Sequence, residues 1–96
     1  MTAYVIVDTK ITGPEAYEDY KVLASPIVEK YGGKYIVRGG DMDLVEGDLW
    51  APSRIVILQF ADMASARKML DSEEYTPVKA IRHANADCTA VIVDGF

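Results

Sequence analysis

Arg38-Gly39-Gly40 is the part of this 96-residue chain best suited to chemistry. A guanidinium can grip a carboxylate or enolate oxygen through parallel hydrogen bonds, and glycines let backbone approach a ligand closely. The same residues also fit a simpler purpose, an Arg paired with Glu46 or a nearby Asp across a turn. Glu46-Gly47 follows a few residues on. A carboxylate near an Arg and an apolar wall is a candidate base with a raised pKa, or else a solvated or paired group. His83 is the only histidine, and imidazole alone among side chains ordinarily titrates near neutrality, so acid–base chemistry would be expected to use it. Beside Arg82 and Asn85 it also reads as a solvated helix position. Glu46 and His83 are thus the catalytic candidates.

Arg54 and Gln59 stand at opposite ends of the most hydrophobic run, Ile55-Val56-Ile57-Leu58. On a two-residue period Gln59 shares a face with Ile55 and Ile57, and Arg54 with Val56 and Leu58. The two therefore cannot enter one cavity without a bulge. A buried Gln59 needs a partner, whether a ligand, Tyr4, Tyr35 or backbone. Tyrosines, Tyr35 and Tyr75 among them, can present hydroxyls to a ligand, although Tyr17, Tyr20 and Tyr31 recur at helical spacing and read first as core. The ligand-binding candidates are Arg38, Gly39, Gly40, Arg54, Gln59, Tyr35 and Tyr75. Cys88 has no second Cys or His at ligand spacing and reads as a buried filler. Neither a phosphate loop, a Ser elbow nor a paired-Cys motif is present, and the acids at 41, 43, 46 and 48 miss calcium-loop spacing. No cofactor and no metal is expected.

The elements that must position these groups are short and well marked. Ala3 to Thr9 is β-branched and reads as a strand. Thr12-Gly13-Pro14-Glu15 starts a helix, with Thr12 as its cap and Pro14 in the first turn. Tyr17, Tyr20, Ala24, Ile27, Val28 and Tyr31 give that helix one apolar face, with a bend expected at Pro26 and a stop at Gly32-Gly33. Lys34 to Arg38 is a second strand, which Leu44 to Gly47 could extend after a bulge. Arg54 to Phe60 is the third. Asp62 caps a second helix, Ser72 a further one running to about Asn85, and Thr89 to Val93 is the last strand.

Strand, helix, strand, strand, helix, strand in this length predicts a ferredoxin-like α+β sandwich, a four-stranded antiparallel sheet with helices on one face, as one domain over 1–96. The first, third and last strands carry apolar side chains on both sides, and helices can cover only one. A homodimer pairing sheet to sheet would bury the other. Ten Lys and Arg against 15 Asp and Glu give a formal charge of -5, which argues against nucleic acid. The single cysteine, the lack of a secretory leader and the lack of a long apolar run predict a cytoplasmic protein with no membrane association.

From Tyr4-Val5-Ile6-Val7, through the Tyr17/Tyr20 helix with its Pro26, Gly32-Gly33-Lys34-Tyr35, Tyr35 to Gly40, Val45-Glu46-Gly47 and Arg54 to Phe60, to Ser72-Glu73-Glu74-Tyr75, the ordered set resembles the DUF1330 family of small bacterial proteins. That family belongs to the dimeric α+β barrel superfamily, so the resemblance implies protomers closing into a barrel through their sheets. It implies no reaction. More distant relatives, similar in fold only, include cofactor-independent monooxygenases, lactone isomerases and haem-dependent enzymes. The haem enzymes are far longer, and His83 does not fall where an axial ligand would. With no nucleophile–base–orienter arrangement visible, the expectation is a non-catalytic ligand-binding or structural module. The alternative is a cofactor-independent enzyme, oxygenase- or isomerase-like, acting on a small anionic, partly apolar metabolite. That alternative requires Arg38, Glu46, Gln59 and His83 to converge on one concavity.

Overall fold

The computed structural model describes residues 2–96. Its elements are β1 (Ala3–Ile11), α1 (Pro14–Lys30), β2 (Lys34–Arg38), β3 (Ile55–Phe60), α2 (Met63–Leu70), α3 (Tyr75–Asn85) and β4 (Ala86–Asp94). The strands form one antiparallel sheet in the order β2-β3-β1-β4, the ferredoxin-like arrangement. All helices lie on one face, and the core fills the space between. Val5 and Val7 of β1 and Leu58 and Phe60 of β3 meet Ala24 and Val28 of α1, Met69 of α2 and Tyr75 and Val78 of α3.

Helix α1 runs unbroken through Pro26, and its apolar face is the one the Tyr17, Ala24 and Val28 spacing predicts. Its start differs. Gly13, not Thr12, is the capping residue, and no side chain caps it. The N–H groups of Thr12 and Gly13 instead donate to the Asn85 carbonyl at 2.9 and 3.0 Å, tying the start of α1 to the end of α3. Gly32, at φ +83°, ends the helix in the left-handed region as expected. Asp62 caps α2 through Ser65 N–H at 2.7 Å, and the Ser72 hydroxyl receives the Tyr75 N–H at 3.2 Å.

The expected extension of β2 through Leu44 to Gly47 does not form. Residues 39–54 contain no regular element. Ser53 and Arg54, which the β2–β3 register sets opposite Asp41 and Gly40, instead donate their N–H groups to Asp8 Oδ1 at 2.8 and 3.1 Å, so the ladder ends before it reaches Leu44. Asp8 Oδ2 also accepts from Trp50 Nε1 at 2.7 Å, so one carboxylate pins the far end of the segment to the outer face of the sheet. Burial works to raise the Asp8 pKa, but the bonds from Trp50, Arg54 and Ser53 outweigh it and hold the carboxyl below its ordinary 3.8. A depressed carboxylate stabilises above its unfolded pKa, and that contribution is lost as pH falls through the folded value. Trp50 is the only tryptophan. Its fluorescence should therefore stay flat from neutrality to about pH 4 and change below it. Asp8→Asn, which cannot titrate, should abolish that step. An unchanged transition in the variant would remove Asp8 as the clamp.

Candidate functional site

A bulge decides which side chains reach the space under the helices. Along β2, Tyr35 pairs with Leu58 and Arg38 with Val56, with the register shifting between Tyr35 and Val37. Strict alternation would put Arg38 on the face opposite Tyr35. The extra residue at Ile36 returns Arg38 to the inner face, the one that carries buried Leu58. Arg54, just ahead of β3, enters from the same side in phase with Val56 and Leu58, as the period of two predicts. Gly39 makes room for it. Its φ is +69°, and a Cβ there would sit 2.6 Å from Arg54 Nε. That is the close approach the paired glycines suggested, made here to a guanidinium. A Cβ on Gly40 would meet nothing within 4 Å, so the second glycine carries no such constraint.

Between sheet and helices these residues bound a cavity. Its wall is apolar, from Val5, Val7, Val56, Leu58 and Met69, and carries four tyrosines, Tyr17, Tyr20, Tyr35 and Tyr75. Its charged lining consists of Arg38, Arg54, Arg82 and Lys21, and no Asp or Glu is among the residues that line it. Lys21 is paired with Glu18 at 2.8 Å. None of the three guanidiniums forms an ion pair among the described residues. At the mouth the Arg38 guanidinium lies 4.3 Å from the Tyr35 ring centre and donates to Ser25 Oγ at 3.1 Å. Arg54 lies 5.6 Å from the Tyr17 ring centre and reaches the Tyr17 hydroxyl at 3.4 Å. Deeper in, the Tyr20 and Tyr75 hydroxyls are 2.6 Å apart.

Burial raises the pKa of both phenols, and for Tyr20 the neighbouring Tyr75 adds to it. Both are therefore hydrogen-bond donors at neutral pH, not bases. The free cavity volume is about 30 Å³, room for one or two waters. A larger ligand must displace the mouth guanidiniums from their tyrosine rings, and an exposed contact of that kind is worth only about 0.5–1 kcal/mol.

The four residues required to converge do not. Arg38 is at the cavity mouth. Glu46 is exposed and lines a groove on the opposite face of the sheet, with Ile6, Ile55 and Ile57. Gln59 alternates with buried Leu58 and Phe60 and so belongs to that outer face as well. His83 is exposed on α3, off the inward stripe of Tyr75, Val78 and Arg82. Partial burial first, then repulsion from Arg82 and Lys79, lowers its pKa from the ordinary 6.5, which leaves it neutral at pH 7. The residue that sequence reasoning passed over is Arg82. Its spacing of seven from Tyr75 and four from Val78 allows it on the inward stripe in place of Ile81, but that spacing alone did not mark it as a site residue. Among the described residues no three His, Cys, Asp or Glu side chains gather where a metal could bind.

No curated protein matches the sequence. Among solved structures, a Rhodopseudomonas palustris protein of unknown function is 18% identical, with a TM-score of 0.79 over 99% of this chain and 82% of that one. SnoaB of Streptomyces nogalater, a cofactor-independent oxygenase, is 12% identical, with a TM-score of 0.71 over 99% and 93%. A dimeric ferredoxin-like protein from Jannaschia is 14% identical, with a TM-score of 0.65 over 99% and 100%. At such identities the likeness is one of fold. It corrects the expectation of a strictly non-catalytic module all the same, because a cofactor-independent oxygenase has this architecture. No helix is long and apolar enough to cross a membrane among the described residues. The DUF1330 family model matches residues 2–96, and the chain belongs to that family.

Proposed function

We propose that this DUF1330 protein is a cofactor-independent enzyme, oxygenase- or isomerase-like, acting on a small, anionic, partly apolar metabolite held between sheet and helices. The observation that carries this reading is the cavity lining, three guanidiniums and four tyrosines on an apolar wall with no carboxylate beside them. Guanidiniums left without counterions in a partly dry space favour an anion there. Oxygenation and isomerisation without a cofactor share an early species, an enolate or phenolate, and these cations stabilise it. With neither His nor a carboxylate in the lining, the substrate is one acidic enough to arrive ionised, so no protein base is needed. In this reading Arg38 and Arg54 capture the anion, Tyr20 and Tyr75 donate hydrogen bonds, and Glu46 and His83 take no part.

The working unit in this proposal is a homodimer joined through the outer sheet faces. Supporting it are the half-exposed Val37, Val91 and Val93 around Ile6 and Ile57 on a face the helices do not cover. The dimeric description of the Jannaschia structure points the same way. Such pairing would also cover the groove beneath Met42, Leu44 and Trp50.

The test is consumption of acidic enols and phenols by the native protein, followed by mass spectrometry in air and under argon. At least one compound should be consumed by native and not by heat-denatured protein. Oxygenation would require air and isomerisation would not. If no compound in a broad panel is consumed, the enzymatic reading is wrong.

A further inference from the structure

Arg82 is the least explained residue in the molecule. It is 5% exposed, the only charged side chain that is buried among the described residues, and it lines the cavity with Tyr20 and Tyr75. Its Nε lies out of solvent with no hydrogen-bond partner, and its Nη2 has only a 3.4 Å contact with His83 Nε2. A buried charged donor left unpaired is costly, and folded proteins ordinarily supply it with a carboxylate or carbonyl. Here none of the salt bridges among the described residues includes it. The Tyr20–Tyr75 pair has a matching vacancy. Two hydroxyls 2.6 Å apart share one hydrogen, so the acceptor's own O–H remains free for a third group. An oxygen anion supplies acceptors to both.

Resting on the enzymatic reading of this cavity, we propose that Arg82 with the Tyr20–Tyr75 pair forms a second anion subsite at the buried end under α3, where Arg82 also borders an open groove with Leu70 and Lys79, separate from Arg38 and Arg54 at the mouth. The substrate class narrows accordingly. It carries oxygen groups at both ends of a short apolar body, one of them ionised at the Arg82 end, as in a hydroxylated aromatic or enolic carboxylate. The mouth guanidiniums are exposed or half-exposed and hold the outer group, while Arg82 and the phenols read the inner one. Tyr17 and Tyr20, with ring centres 5.2 Å apart, and the surrounding valines and Leu58 provide the apolar span.

The test uses 4-hydroxybenzoate as the two-ended probe and 4-hydroxybenzamide as its neutral counterpart, with the full chain labelled with nitrogen-15. The chain has four arginines, so their Nε–H signals can be assigned one by one with Arg→Lys variants. The benzoate should shift the Arg82 Nε–H signal saturably in the wild-type protein, and the benzamide should bind at least about tenfold more weakly. Arg82→Lys should weaken benzoate binding about tenfold or more, and Tyr20→Phe or Tyr75→Phe about three- to tenfold, consistent with lost charge-assisted bonds. The wild-type spectrum serves even if Arg82→Lys fails to fold. Should the benzoate shift only Arg38 and Arg54, the second subsite is refuted while the cavity remains a ligand site. Should the amide bind as well as the acid, the subsite is refuted as well. If neither probe perturbs any cavity signal, the reading of the cavity as an anion site fails with it.

Discussion

Val91→Asp is expected to break the proposed homodimer into folded monomers. Val91 pairs with Ile6 on the outer sheet face and is 49% exposed in the single protomer, so an aspartate there stays solvated until two sheets meet. In a sheet-to-sheet dimer the substitution places an unpaired carboxylate in an apolar seam from each copy. At about 3 kcal/mol for each copy, the dimer loses roughly 6 kcal/mol, or about four orders of magnitude in Kd. Sedimentation at micromolar concentration reads the change directly, and circular dichroism checks that the protomer is intact. A variant that sediments like wild type would show that the outer face is not the seam.

Arg38→Gln combined with Arg54→Gln is expected to lower kcat/KM on the consumed metabolite by about two to four orders of magnitude, since each guanidinium contributes a charge-assisted bond worth about 1.5–3 kcal/mol. The fold should tolerate the change. Arg38 is exposed and Arg54 half-buried, and both lie at the cavity mouth rather than in the core. Glu46→Gln and His83→Gln provide the contrast, on the outer sheet face and the exposed side of α3, and should change the rate by less than about threefold. Steady-state kinetics with these variants in parallel settles the assignment. A large loss at Glu46 or His83, with the arginine pair silent, would move the chemistry out of this cavity.

The element order and the inward face of α1 were legible from hydrophobic period, because α1 buries the residues its spacing indicates. Strands β1 and β3 are apolar on both sides, and their period did not say which side the helices cover. The opposite phases of Arg54 and Gln59 were legible from the period of two. The segment after Arg38 was not. Its apolar residues suited a strand, but a strand needs free partners, and Asp8, some 45 positions away in sequence, already held the N–H groups of Ser53 and Arg54. The lining of the candidate site was half legible. Arg38, Arg54, Tyr35 and Tyr75 do line one cavity. Arg38 gets there by a bulge at Ile36, which no two-residue pattern reveals, and Arg82 gets there by sitting on the buried stripe of a helix where hydrophobic residues are expected. Glu46 and His83 drew notice for their chemical type, yet topology sends them to other surfaces.

A crystal structure of the protein with a consumed metabolite, or a slow analogue of it, tests the central claim most directly. The predicted result is a ligand between the sheet and the helices, with an anionic oxygen within hydrogen-bond distance of Arg38 or Arg54 and both mouth guanidiniums moved off the rings of Tyr35 and Tyr17. A ligand seated instead on the outer sheet face, beside Glu46 and Trp50, with the inner cavity unchanged, would contradict it.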